Sequence, residues 1–167
     1  MHPYMKILQC IFVFFLFFCS HAIFSLVSAD IEKTLVSWVI IEDRNIQAGS
    51  ILTLQEGDVF DGIVFAEKMD DKWMAGSDNW KRSESNQEKY PGWDSETGSL
   101  VQIAIVYQKD LISIFRDGKS YASYPVRNID LLSSENNFAV FGKRHMGGGG
   151  GISGMIEDAR IYDRALS

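Results

Sequence analysis

Apolar positions along this chain recur at two-residue spacing, in short runs broken by polar turn residues. The most informative stretch is residues 100–121, LVQIAIVYQKDLISIFRDGKSY. Its two apolar runs, 100–107 and 111–115, are rich in the β-branched and aromatic residues that suit a pleated, half-buried surface. Only a few polar residues separate them, so they predict neighbouring antiparallel strands. Arg116-Asp117-Gly118-Lys119 supplies a second turn, because Asp-Gly accepts the positive φ that tight hairpins demand. Three short strands in succession, with no helix between them, make a meander and seed an all-β domain.

The same pattern extends both ways. Over 33–41, KTLVSWVII is apolar on both faces and predicts an interior strand, with Trp38 in the core, as Trp73 is in its own apolar run. Strands are predicted at 51–55 and 59–67, joined by Glu56-Gly57-Asp58, and a short one at 72–76. Residues 77–99 have no period; Asp, Asn, Ser, Glu, Gly and Pro dominate, so they predict a long surface excursion, which carries Trp80, Tyr90 and Trp93. Further strands are predicted at 121–126, 137–144 and 152–166, with the five glycines 147–151 as a flexible hairpin connection. No i, i+3, i+4, i+7 stripe outlasts a turn. The sum predicts an antiparallel two-sheet jelly-roll sandwich.

The first residues read differently. A short, weakly basic start (1–6) precedes an almost unbroken apolar run (7–18), and small residues follow at Ser20, Ala22, Ser28 and Ala29. This is the pattern of a secretory signal peptide. Cleavage fits after Ala22 or after Ala29; the second avoids an apolar mature end and gives a leader of 1–29 and a domain of 30–167. The competing reading is an uncleaved membrane anchor over 7–27, since a span needs about 20 residues. Both cysteines, Cys10 and Cys19, lie in this leader. The remaining chain therefore has no disulfide, thiolate nucleophile or cysteine metal site, and the expected location is secreted or periplasmic.

Charge narrows the partners. The formal net charge is −6 and the pI near 5.0, whereas nucleic acids and anionic membranes call for a basic face. Nucleic acid is excluded on that ground, and a membrane enters only through a retained N-terminal segment.

The closing stretch Asp158-Ala159-Arg160-Ile161-Tyr162-Asp163-Arg164-Ala165-Leu166-Ser167 resembles the last strand of the laminin-G-like, concanavalin A-like lectin and glucanase family. Other stretches agree in order: Lys33-Thr34-Leu35 with Trp38-Val39, Trp73-Met74-Ala75-Gly76-Ser77, Ala104-Ile105-Val106-Tyr107, Arg116-Asp117-Gly118-Lys119, and Phe141-Gly142 with Arg144-His145. The resemblance covers about residues 26–167 and is similar to modules of large secreted bacterial proteins. It implies the concanavalin A-like jelly roll, but little about function, because that sandwich hosts lectins, glycan hydrolases and adhesion modules alike. Two departures from the family pattern lead to the expectation of either a fragment of a larger protein or a module that pairs with another chain. Family members carry a further strand before Lys33-Thr34-Leu35 and an acidic helical tail after the Leu-Ser.

Three chemistries are then open. Glu56-Gly57-Asp58-Val59-Phe60-Asp61 resembles the E-x-D-x-x-E strand of glucanases, which set two carboxylates about 5–5.5 Å apart. Here the final residue is Asp and Gly57-Asp58 reads as a turn, so catalysis is not expected. The resemblance also allows a rim-bound calcium ion, with oxygens available on Asp58, Asp61, Asp70, Asp71 and Asp78 but in no dedicated spacing. His145 stands alone, without partners for a triad or a metal site. Carbohydrate recognition is the preferred reading, with a protein partner beside it: Trp80, Tyr90 and Trp93 offer flat apolar faces, and Asp78, Asn79, Asn86 and Asp94 offer hydroxyl partners. The bland alternative is that these aromatics pin the excursion to the sandwich. A degenerate hydrolase and a purely structural fragment remain as other classes.

Overall fold

A computed structural model describes residues 32–45, 47–92, 96–127 and 136–167, which form one compact unit. The expected leader, its cleavage points and the anchor alternative lie outside the described residues, as do Trp93 and Asp94. Among the described residues nine strands follow in order: β1 (Lys33–Asp43), β2 (Gly49–Glu56), β3 (Val59–Phe65), β4 (Trp73–Ser77), β5 (Leu100–Gln108), β6 (Leu111–Arg116), β7 (Lys119–Pro125), β8 (Phe138–Phe141) and β9 (Ser153–Tyr162). They build two antiparallel sheets, β7-β6-β5-β1-β9 and β4-β3-β2-β8. The two-sheet sandwich expected from the alternation is what forms.

Its meander is β5-β6-β7. The β6–β7 hairpin closes on Arg116 opposite Lys119, with Asp117 at φ 50° and Gly118 at φ 71°. Both central residues are left-handed, which matches the right-handed strand twist and explains the Asp-Gly pair. Between the sheets lie Leu35, Val39 and Ile41 of β1, Ile103 and Ile105 of β5, Ile112 and Ile114 of β6, Leu52 of β2, Ile63 and Phe65 of β3, and Trp73 of β4. Trp73 is fully buried, as expected.

Trp38 is not. In β1 the inward set is Leu35, Ser37, Val39 and Ile41, so the period of two turns Trp38 outward, half-buried, with the Arg160 guanidinium 4.8 Å from its ring. Continuous hydrophobicity hid which face was which. The closing strand departs from strict alternation as well. Trp38 pairs with Asp158 but Val39 with Ile156, so Glu157 is an extra residue in a β-bulge. The bulge brings Ile156 onto the core side with Ala159. Arg160 and Asp158 pair along their own strand, Nη2 to Oδ2 at 2.6 Å, rather than across strands.

The glycine-rich link also differs from a loose connector. Lys143 bridges to Gly151. A Cβ on Gly49 would sit 2.2 Å from the Gly151 carbonyl oxygen, so the link is packed against the start of β2. Just before the glycines, the Thr53 hydroxyl donates to the Arg144 carbonyl (2.9 Å) and the Met146 amide donates to Gln55 Oε1 (2.9 Å). Residues 143–146 are thus laid across the outer face of the four-stranded sheet.

Candidate functional site

The site begins with a tight turn. After β4 the chain makes one 3-10 turn, Asp78–Trp80, in which Asn79 (φ 49°) and Trp80 (φ 54°) are both left-handed. That region is uncommon for any residue with a Cβ and an outlier for one as bulky as tryptophan. Such strain persists only where the surroundings over-determine it. Here Arg82 does so. Its side chain is fully buried; Nε donates to Asp61 Oδ1 (2.6 Å), and Nη2 donates to Asp78 Oδ1 (2.7 Å) and the Phe60 carbonyl (2.9 Å). Its amide donates to Ser77 Oγ, and its carbonyl accepts from the Tyr124 hydroxyl. Lys33 of β1 completes the cluster as a buried ion pair with Asp61.

These charges set one another. Burial alone would push the Asp78 carboxyl up, but hydrogen bonds and charge from Lys81 and Arg82 outweigh it and hold it below the usual carboxylate value. Burial likewise works against the Arg82 cation, and Asp61 and Asp78 more than restore it. The chain therefore turns sharply to sink an arginine, and the turn leaves Trp80 on the surface.

Trp80 is 47% exposed, yet its ring is held. The indole Nε1 donates to Glu67 Oε1 at 3.0 Å, and the same oxygen receives Arg144 Nη1 at 2.6 Å. The Arg144 guanidinium lies 5.4 Å from the Trp80 ring and 5.5 Å from that of Phe60, while Lys68 Nζ sits 5.6 Å over Trp80. His145 stacks on Phe60 at 4.9 Å, which gives it a packing role. Three separate stretches thus converge: 67–68, the turn after β4, and 144–146.

The structure treats the expected site residues unequally. Trp80 and Asn79 are exposed side by side on the turn. Asp78 faces inward and is committed to Arg82 and Lys81, so it offers no free carboxylate to a sugar. Tyr90 is half-buried, edge-on to Tyr121 at 5.6 Å and packed against the core. Its carbonyl accepts from Lys72 Nζ at 2.7 Å. It pins the excursion, and burial, with Glu84 and Tyr121 nearby, pushes its phenol up. Asn86 caps its own loop by accepting from the Glu88 amide. Trp93 lies outside the described residues. The sequence reading missed Glu67, Lys68 and Arg144, because only the fold brings 67 and 144 together.

Gly57 (φ 56°) and Asp58 form the β2–β3 turn, and Asp61 is fully buried in ion pairs, so the glucanase-like stretch does not form one continuous strand with outward carboxylates. Among the described residues, no three His, Cys, Asp or Glu side chains converge where a metal could be held. A polar cleft of about 370 Å³ lies between residues 42–45 with Gln47 on one side and Asp70, Asp71 and Thr97 on the other. Three of its carboxylates are already engaged: Gln47 donates to Asp70 at 2.6 Å, Arg44 pairs with Asp71 at 3.4 Å, and Asp43 accepts from Asn45.

The fold is an antiparallel two-sheet sandwich of the jelly-roll class. The family model described as "Concanavalin A-like lectin/glucanases superfamily", a laminin-G type, matches residues 24–167, and the chain belongs to that family. No curated protein sequence matches it. Among solved structures it is similar to domain 4 of an extracellular arabinanase from Geobacillus stearothermophilus in complex with arabinotriose, at 18% identity and TM-score 0.59, covering 85% of this chain and 65% of that one. It is similar to a heptameric SAP-like pentraxin from Limulus polyphemus at 15% identity and TM-score 0.54, covering 82% and 66%. It is similar to a Trypanosoma rangeli sialidase at 17% identity and TM-score 0.55, covering 83% of this chain but 21% of the sialidase. The chain therefore spans about two thirds of the first two and about a fifth of the third, and these likenesses speak for the fold.

Proposed function

We propose that this domain is an exported, non-catalytic module that binds carbohydrate through Trp80. The observation that carries the reading is an indole 47% exposed yet fixed by its own hydrogen bond to Glu67. A rigid, flat aromatic loses little conformational entropy on binding, which is what makes such residues effective anchors. The outward left-handed backbone points the same way, since strain at a bulky residue is a reason to look for function. The arabinotriose complex of the similar arabinanase domain supports sugar as the ligand class. Export rests on the signal-peptide pattern of residues 1–29.

A glycan array probed with the purified domain, followed by calorimetric titration of the best binder, tests this. Trp80→Ala is expected to weaken binding at least about tenfold, as truncating an aromatic anchor does. Unchanged affinity, or no glycan bound at all, would overturn the reading.

A further inference from the structure

We infer that the saccharide held at Trp80 is an acidic one, with its carboxylate or sulfate paired to Lys68; this rests on the reading of Trp80 as the sugar contact. Around the turn stand the cations Lys33, Lys68, Lys81, Arg82 and Arg144 and the carboxylates Asp61, Glu67 and Asp78. Lys33 and Arg82 share Asp61, Arg82 and Lys81 share Asp78, and Arg144 holds Glu67. Lys68 has only the Trp80 ring and, among the described residues, pairs with no carboxylate. Beside the indole, Lys68 is thus an exposed cation that pairs with no carboxylate among the described residues, in a chain whose formal net charge is −6.

Position makes that excess usable. Arg144 is mostly covered, at 17% side-chain exposure, and its Nη1 is taken by Glu67. Lys68 is exposed, and its ammonium stands over the ring a sugar would cover. A pyranose stacking on the indole would displace that ammonium from the ring, and an acidic substituent at the sugar's edge would retain it as an ion pair. Carboxylate and sulfate are what a compact, strongly hydrated ammonium can pair with at a surface. The acidic remainder of the molecule opposes an anionic ligand only weakly, because charges beyond about 8 Å are screened at physiological ionic strength. A direct contact with Lys68 is screened least. A bland alternative exists: Lys68 only caps the ring as a cation–π partner. The two differ in what happens when Lys68 changes sign.

The experiment compares wild type, Lys68→Glu, Lys68→Gln and Trp80→Ala on an array holding matched pairs. These are oligogalacturonate with its neutral methyl ester, and a sulfated chondroitin oligosaccharide with its unsulfated, carboxylate-bearing backbone. Calorimetry then follows on the best binder. In at least one pair the member bearing the extra acid group, galacturonate over its methyl ester or sulfated over unsulfated chondroitin, is expected to bind at least tenfold more tightly. Lys68→Glu should remove that preference, with Lys68→Gln intermediate, and Trp80→Ala should lose all binding. The galacturonate and sulfate pairs separate the two acidic groups. Equal binding within both pairs, or a preference that survives Lys68→Glu, overturns this inference while a Trp80→Ala loss leaves the sugar contact standing. Binding insensitive to Trp80 overturns both. Because Lys68 is exposed, an unchanged thermal melt is expected for its variants and serves as the folding control.

Discussion

At the scale of single residues, the turn after β4 combines strain with exposure, and the two can be separated. A left-handed residue with a Cβ costs about 1–2 kcal/mol, and a glycine in its place gives back about 0.5–1 kcal/mol through unfolded-state entropy. Trp80→Gly is therefore expected to change unfolding free energy by less than about 1 kcal/mol while abolishing glycan binding; urea denaturation and titration on the same sample check both. A large loss of stability would mean the indole is there to hold the fold. Asp78 gives a second residue-scale test. Its folded carboxyl titrates below its ordinary value of 3.8, so its stabilisation is complete above that pH and is lost as pH falls through the depressed folded value. The stability gap between wild type and Asp78→Asn should thus be constant from neutral pH down to about 4 and shrink below it. A gap that shrinks near pH 6 instead would show that another group controls the cluster.

At the scale of elements, period two made the strands legible and little else. The meander β5-β6-β7 and its Asp117-Gly118 turn could be read because hydrophobic alternation and turn chemistry agree there. Trp38 could not be placed, because β1 is apolar on both faces and the register alone decides which side is core. Nor could the β9 bulge be read, since nothing local marks Glu157 as the extra residue. The same limit hid the site. Trp80 is legible as an aromatic in a polar stretch, but its partner Arg144 comes from beyond β8, and nothing local marks Arg82 as buried or Asp78 as turned inward toward it. At the other end of β9, a Cβ on Gly154 would lie 2.0 Å from the Ile40 carbonyl oxygen, a backbone atom that cannot swing aside. Gly154→Ala is expected to destabilise by about 1–3 kcal/mol, the usual range for overpacking, read by thermal or urea unfolding. No loss would mean that the β1–β9 pairing is looser than its register implies.

At the scale of the whole molecule, the sandwich is a rigid support on which three loops meet. A buried ion cluster joins β1 of one sheet to β3 of the other through Lys33 and Asp61, and the turn that carries Trp80 is anchored to that cluster through Arg82. Family membership fixes this scaffold and leaves the ligand open, because sites are grafted onto folds of this kind. The most direct test of the central claim is the indole N–H region of a nitrogen–proton correlation spectrum, recorded while the best array glycan is added. The chain has four tryptophans, and substitution Trp80→Phe assigns the signal in question. The account predicts that the Trp80 resonance shifts most and saturably, while that of buried Trp73 stays in place. A Trp80 signal that does not move at saturating glycan would contradict it.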